Sequence, residues 1–324
     1  MLKLYLFILT QLFLSFKVEA CPSPSAIVYT LDANSFYNDA HHSLIDPELK
    51  KKHDDAVKPL ENFIRSIAKM SDKYIQDPVK NLSEGHCANA WILSWAKQNA
   101  MLGEMKTNQS YSERKWMLAG IGLVYGKTRA IIKPDENLII ESWLKKLADL
   151  TMVHSDQYKG TRNNHYYWEG LAVGVVGAIT KDSKYLSWSK QVFSNAMDKI
   201  QKDGSLIEEM NRGKRAIHYQ AFATAPLVVM SSILDLQSDK LKELVRFTYL
   251  AISHPETIEK RLGVKQDALT PSNLGWLLVY LRRNPDAEIS NFLKTKSSLY
   301  TSKLGGNLNL VNPLENISST KVTK

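Results

Sequence analysis

The 324-residue chain is predicted to be all-α, on three observations. Apolar residues recur at intervals of three and four, the spacing of one face of a helix. Ile140, Trp143, Leu144, Leu147 and Leu150 make one such stripe. Tyr185, Trp188, Val192, Ala196 and Ile200 make a second, and Leu241, Leu244, Val245, Thr248 and Ile252 a third. Helix-starting pairs punctuate the chain at Asp46-Pro47, Pro134-Asp135, Ser238-Asp239 and Thr270-Pro271, through side-chain capping or the preset φ of proline. Strand alternation is scarce and no hairpin turn signal is present. The pattern predicts roughly ten helices with short connectors. No proline- or serine-rich linker divides them and no fixed solenoid repeat is present, though a toroid of helical hairpins is permitted.

Residues 1–20 read as a secretory signal peptide. Lys3 supplies the positive start, Leu4 to Phe16 is mostly apolar, and Val18-Glu19-Ala20 is an acceptable cleavage site. The apolar run is shorter than the ~20 residues of a membrane-spanning helix, so no anchor is expected after cleavage. A periplasmic or secreted product of residues 21–324 is expected, as one domain and a monomer. Cleavage removes two cations and one anion from a chain of formal net charge +9. An exported basic protein points to a polyanionic partner. Nucleic acid is disfavoured: zinc-ligand spacing, an RNA-binding aromatic motif and a concentrated basic run are all missing.

The two cysteines, Cys21 and Cys87, favour a disulfide in an oxidising compartment. The alternatives are lipidation of Cys21, for which Val-Glu-Ala-Cys is a poor box, and metal binding by the cysteines with His86. Leu31 to Ser43 mixes Asn34, Tyr37, Asn38, Asp39, His41 and His42 and reads as irregular, as does the polar tail from Ser318.

Two clusters carry the chemistry. Residues 163–168 read Asn-Asn-His-Tyr-Tyr-Trp, and 208–219 read Glu-Glu-Met-Asn-Arg-Gly-Lys-Arg-Ala-Ile-His-Tyr. They supply amide, imidazole, guanidinium and phenol groups: the means to bind a carboxylate, remove the neighbouring C–H proton and protonate a leaving oxygen. That is β-elimination on an acidic sugar chain. Asn164 and His165 lie between a polar loop, His154 to Arg162, and an apolar helical run, Leu171 to Ile179. They are therefore expected in a first helical turn, whose free N–H groups favour an anion. The plain alternative is that an asparagine merely caps this helix. Tyr219 is the candidate for proton transfer. Arg212 and Arg215 precede it by seven and four residues, on one face if the segment is helical, and their charge would favour phenolate. The plain alternative is a packed aromatic beside Ile217 and Phe222. Arg215 could equally bridge to Glu208 or Glu209. Lys214 and His218 read as solvated neighbours. Trp168, Tyr37 and Trp116 are candidate sugar-stacking faces, while Trp91, Trp95, Trp143 and Trp188 read as core.

This pair of motifs resembles the signature of the family 5 polysaccharide lyases, the poly(mannuronate) or alginate lyases. There, Asn-Asn-His-x-Tyr-Trp precedes Arg-x-x-Arg-x-x-x-Tyr, here Arg212, Arg215 and Tyr219, at a similar interval. Weaker similarity runs from Cys21 to Lys303-Leu304-Gly305-Gly306. The resemblance implies an incomplete α/α barrel, a disulfide between Cys21 and Cys87, and a mobile flap formed by the 31–43 segment. It also implies a catalytic quartet of Asn164, His165, Arg212 and Tyr219, a cleft position for Trp116, and a distal subsite near Lys303. One departure stands out. Relatives tend to carry Lys or Arg before the flap tyrosine, and here that position is Phe36. Lys50, Lys51 or Lys52 could replace that cation only with a different flap geometry.

The expected activity is thus a polyuronate lyase, most readily on poly-mannuronate. Mannuronate and glucuronate differ only at C2, so a glucuronan or broad-specificity lyase is the alternative. A weakly active polysaccharide-binding protein is another, with Phe36 its best support. A glycoside hydrolase would need two carboxylates across the cleft, which the adjacent Glu208 and Glu209 do not make. No metal cluster is evident and elimination needs no cofactor.

Overall fold

Helix α1, Pro47–Gln76, begins where proline follows a capping aspartate: the Asp46 side chain accepts from the backbone N–H groups of Glu48 and Leu49. The computed structural model describes residues 21–308, so the expected signal peptide and the polar tail lie outside the described residues. Hairpin partners follow as α2 (Leu82–Lys97), α3 (Asn108–Thr128), α4 (Pro134–Gln157), α5 (Asn164–Thr180) and α6 (Ser183–Met197). The one-turn α7 (Ile207–Met210) leads to α8 (Ala216–Ile233), α9 (Asp239–Ser253) and the short α10 (Pro255–Leu262), α11 (Trp276–Leu281) and α12 (Ala287–Lys294). A two-stranded ribbon pairs Tyr300–Thr301 with Gly306–Asn307.

Four of the twelve α-helices among the described residues are one to two turns long, and their apolar content is too brief to register as periodicity. Thr270-Pro271 starts a 3₁₀ turn, Pro271–Leu274, ahead of α11 rather than an α-helix. Helix α4 continues to Gln157, so the loop expected from His154 begins only at Tyr158.

The architecture is the expected incomplete α/α barrel. Helices α1, α3, α5, α8 and α11 pack successively as an inner layer, with α2, α4, α6 and α9 behind them. Helices α3, α5 and α8 are buried on nearly all sides, which explains why their sequences lack a single apolar stripe, whereas α1 keeps an exposed polar face. Every residue of α3 from Ser112 to Thr128 is buried, as is every residue of α5 from Tyr167 to Gly177. At Gly170 a Cβ would stand 2.5 Å from Val192, so the missing side chain lets α6 close on α5. The disulfide joins Cys21 to Cys87 and fastens the N-terminal segment to α2. No helix among the described residues is long and apolar enough to cross a membrane.

A buried ion pair anchors the C-terminal ribbon. Lys127 Nζ lies 2.6 Å from Asp72 Oδ1 and donates to the Gly305 carbonyl, while Asp72 Oδ2 accepts from Asn307 N at 2.7 Å. This network fixes the turn that presents Lys303.

Candidate active site

The inner helices, the 31–45 segment and the ribbon enclose a cleft of about 720 Å³. Both sequence clusters, the flap and Lys303 line it. Asn163 caps α5, its side chain accepting from His165 N, so the next two residues occupy the first turn as expected. Asn164 is fully buried. Its backbone N–H and its Nδ2 donate to the two oxygens of Glu209 at 2.7 and 2.9 Å, and its Oδ1 has no partner.

His165 Nδ1 lies 3.1 Å from Ser112 Oγ, and its ring stacks beside Trp116 at 5.8 Å. Burial, followed by the charges of Lys115 and Arg212, drives its pKa well below the ordinary imidazole value. His165 is therefore neutral at physiological pH. Behind it Lys115 and Glu169 form a buried pair at 3.0 Å, with Arg162 4.0 Å from the other Glu169 oxygen.

Arg212 and Arg215 do not share an α-helix with Tyr219. Gly213, with φ of 53°, turns the chain into a 3₁₀ segment, and α8 starts only at Ala216. Both guanidinium groups nonetheless approach the phenol, at 4.9 and 5.7 Å from its ring centre. Arg215 makes no ion pair with Glu208 or Glu209 among the described residues. It lies instead between the rings of Tyr219 and Tyr37. Arg212 is the group that approaches Glu209, Nε to Oε2 at 4.0 Å.

The Tyr219 hydroxyl donates to the flap carbonyl of His42 at 3.3 Å. Its pKa is raised, first by burial and then by the neighbouring Tyr37 hydroxyl, and the two arginines only partly oppose this. The expected stabilisation of phenolate is thus outweighed with the flap in place. The flap is a closed loop: Asp39 accepts from His41 N, Ser43 N, Ser43 Oγ and Leu44 N, and Tyr37 pairs with Ile45. Its tip is fastened by His41 Nδ1 on the Asn211 carbonyl at 2.9 Å.

The stacking candidates separate. Trp168 is 2% exposed, with its indole N–H on the Phe222 carbonyl and its ring against Phe222. It props the floor and offers no face to a sugar, because the apolar surroundings of α5 and α8 enclose it. Trp116 borders the cleft with an unpartnered Nε1, but its ring is covered by Lys303, whose Nζ stands 3.9 Å from the centroid. Lys303 thus stands over Trp116 close to the motif residues, and its charge lowers the pKa of His165 and His218. Tyr37 is half-buried in the flap and faces Arg215. His218, expected to be solvated, lines the cleft against Tyr219 and Phe222, and burial holds its pKa at about 3. At the departed flap position, Lys50 from α1 places its Nζ 5.4 Å from the Phe36 ring while paired to Asp54. A cation thus reaches this rim from another element.

Sequence reasoning missed the bonds of Glu209 to Asn164, and the buried pair of Lys115 and Glu169. The last two had a signal: a charged residue inside an otherwise apolar inner helix must be paired.

Residues 30–246 match the family model described as Alginate lyase. A polysaccharide lyase of Stenotrophomonas maltophilia is 34% identical over 305 residues, 90% of each chain. An alginate lyase of Azotobacter vinelandii is 26% identical over 286 residues, 82% of this chain and 76% of its own. Among solved structures, a variant of alginate lyase A1-III complexed with tetrasaccharide superimposes with a TM-score of 0.76 at 22% identity, covering 89% of this chain and 84% of that one. Alginate lyase A1-III from Sphingomonas species A1 gives 0.74, also at 22%, over 91% and 86%.

Proposed function

Since the chain belongs to the alginate lyase family and is thereby a polysaccharide lyase, we propose that it cleaves 1,4-linked polyuronate, poly-mannuronate foremost, by β-elimination in the periplasm or outside the cell. The observation that carries this reading is the meeting of Asn164, His165, Arg212 and Tyr219 in one cleft with permanent cations around them.

Removing the C5 proton of a uronate builds negative charge on its carboxylate. Donors fixed where that charge develops are usually the largest contribution to catalysis. Arg212, Asn164 and His165 surround the place for this carboxylate. Tyr219 takes the C5 proton and returns it to O4. In mannuronate these two positions lie on the same side, within reach of one phenol. Substrate entry must displace the flap tip. That removes the Tyr37 hydroxyl and the carbonyl that accepts the phenolic proton, leaving Arg212 and Arg215 to favour phenolate. The carboxylates of the cleft floor are paired, Glu113 beside His53 and Glu169 with Lys115, and Glu209 is bonded to Asn164. None is a free acid for hydrolysis.

A second reading, a lyase of broader polyuronate specificity, is favoured by Phe36 and by the Lys50 ammonium, paired to Asp54, at the rim. One experiment addresses both: the ultraviolet absorbance of unsaturated uronate released from mannuronan, guluronan, glucuronan and pectate. Product from mannuronan alone supports the first reading, and comparable rates on glucuronan the second. Hydrolytic, saturated products from every polymer would overturn both.

A further inference from the structure

Glu209 has no role in the reaction as described, yet it is fully buried where the two motifs meet. Its oxygens take the backbone and side-chain N–H of Asn164, and Arg212 Nε lies 4.0 Å away. The donor end of the Asn164 amide is thus turned toward Glu209. Its buried Oδ1 has no donor. A uronate carboxylate arriving beside Asn164 would meet an amide oxygen and, behind it, a second carboxylate sharing Arg212.

We infer that Glu209 is a proton-linked positioning residue: as substrate binds, it takes one proton from solvent and donates it in a hydrogen bond to Asn164 Oδ1, and the amide turns its Nδ2 to the substrate carboxylate. The inference rests on the lyase reading above. The half-turn exchanges the two ends of a planar amide without moving the backbone. The Asn164 N–H keeps its acceptor on Glu209 throughout. Protonation removes one of two like charges that a site of low dielectric cannot hold together. Burial already raises the Glu209 pKa to about 7, with Arg212 and the two Asn164 bonds opposing and Glu208 assisting. Tyr167 of α5 is the other titratable group facing it, a phenol whose own pKa is raised by burial and by Glu209.

The test is calorimetry of a mannuronate oligosaccharide binding to the Tyr219→Phe protein, in buffers of differing ionisation enthalpy. A carboxyl with a pKa of about 7 that becomes fully protonated takes up about half a proton at pH 7 and approaches one at pH 8. In Glu209→Gln on the same background the uptake should vanish while binding persists, since the Gln amide is uncharged and can donate to Asn164 Oδ1. With Tyr219 restored, Glu209→Gln should flatten the alkaline side of the kcat/KM profile. Binding without proton uptake by Tyr219→Phe overturns the proposal. So does uptake that persists in Glu209→Gln, which would place the proton on His165 or His42. A parent protein that gives no unsaturated product from any polyuronate overturns the lyase reading and this proposal with it, whereas product without Glu209-dependent uptake overturns this proposal alone.

Discussion

Replacing Tyr219 by Phe removes one oxygen and keeps the ring beside Arg212, Arg215 and Tyr37. The structural cost is small. The hydroxyl makes a part-buried hydrogen bond of 3.3 Å to the His42 carbonyl, a contact whose net value is about 0.5–1.5 kcal/mol. The ring, 9% exposed, keeps its apolar burial. Catalysis is a different matter. A positioned acid or base contributes about 10²–10⁴-fold, and on the proposed mechanism one phenol serves both as base at C5 and as acid at O4. The expected loss in kcat on mannuronan is therefore at least 10³-fold, or about 4 kcal/mol in the barrier. Affinity for a mannuronate oligosaccharide should stay within a few-fold, because Arg212, Asn164 and His165 remain. The assay is the absorbance of unsaturated uronate against time, with calorimetric binding and a thermal melt as controls. Near-parental kcat with an unsaturated product would refute the reasoning and move the base to His165.

Lys127→Met should destabilise the fold by about 3–5 kcal/mol, because it strands Asp72 in the interior; chemical denaturation measures it, and a raised KM should accompany it as the Lys303 turn loosens. Breaking the disulfide with Cys87→Ser should cost about 2–4 kcal/mol, since the bridge spans a sequence separation of 66 residues; unchanged melts under reducing and oxidising conditions would count against it. Acid should also lower stability. His42, His154, His165 and His218 all have folded-state pKa values below 6.5, so the unfolded chain binds their protons first and stability falls as pH drops below 6.5. Glu209 and Asp72, with raised values, act in the opposite sense, and the four imidazoles outnumber them. The midpoint temperature should therefore fall between pH 7 and pH 5, and His218→Phe should reduce that slope.

The all-α class was legible because the outer helices carry one apolar face. Ile140, Trp143, Leu144 and Leu147 on α4 are all buried, and the stripe identifies them directly. The inner helices α3, α5 and α8 are buried nearly all round, so they show no such stripe, and the barrel itself came from resemblance rather than periodicity. The positions of Asn164 and His165 followed from local rules, a cap and a first turn. Trp116 and Trp168 were ambiguous for a physical reason: indole is suited both to core and to sugar, and only the neighbours Lys303 and Phe222 decide. Arg212 and Arg215 reached Tyr219 by a route that helical spacing did not describe. Gly213 breaks the helix between them, and the sequence marks that break only by the glycine. Glu209 was invisible because its importance lies in contacts 45 residues away, on Asn164.

The environment of His165 bears on which group is the base. Burial, and then the positive charge of Lys115, Arg212 and Lys303, hold its pKa well below the ordinary imidazole value, so it is neutral at physiological pH. An imidazole held that way has its lone pair always available but is weakly basic, while the C5 proton beside a carboxylate is only weakly acidic. Tyr219 has the reverse character. Its phenolate is rarely populated but strongly basic, and the phenol formed on taking the proton is the form able to donate it to O4. Proton transfer favours a match between donor and acceptor, and on a substrate whose C5–H and O4 share one face, that match lies with Tyr219. The same cations that weaken His165 as a base strengthen the site as a carboxylate receptor, because guanidinium and ammonium keep their charge across physiological pH and imidazolium does not. On the proposed mechanism, neutral histidines among cations separate the two tasks: charge neutralisation would rest with guanidinium and ammonium groups, and proton movement with Tyr219 once the flap tip is displaced.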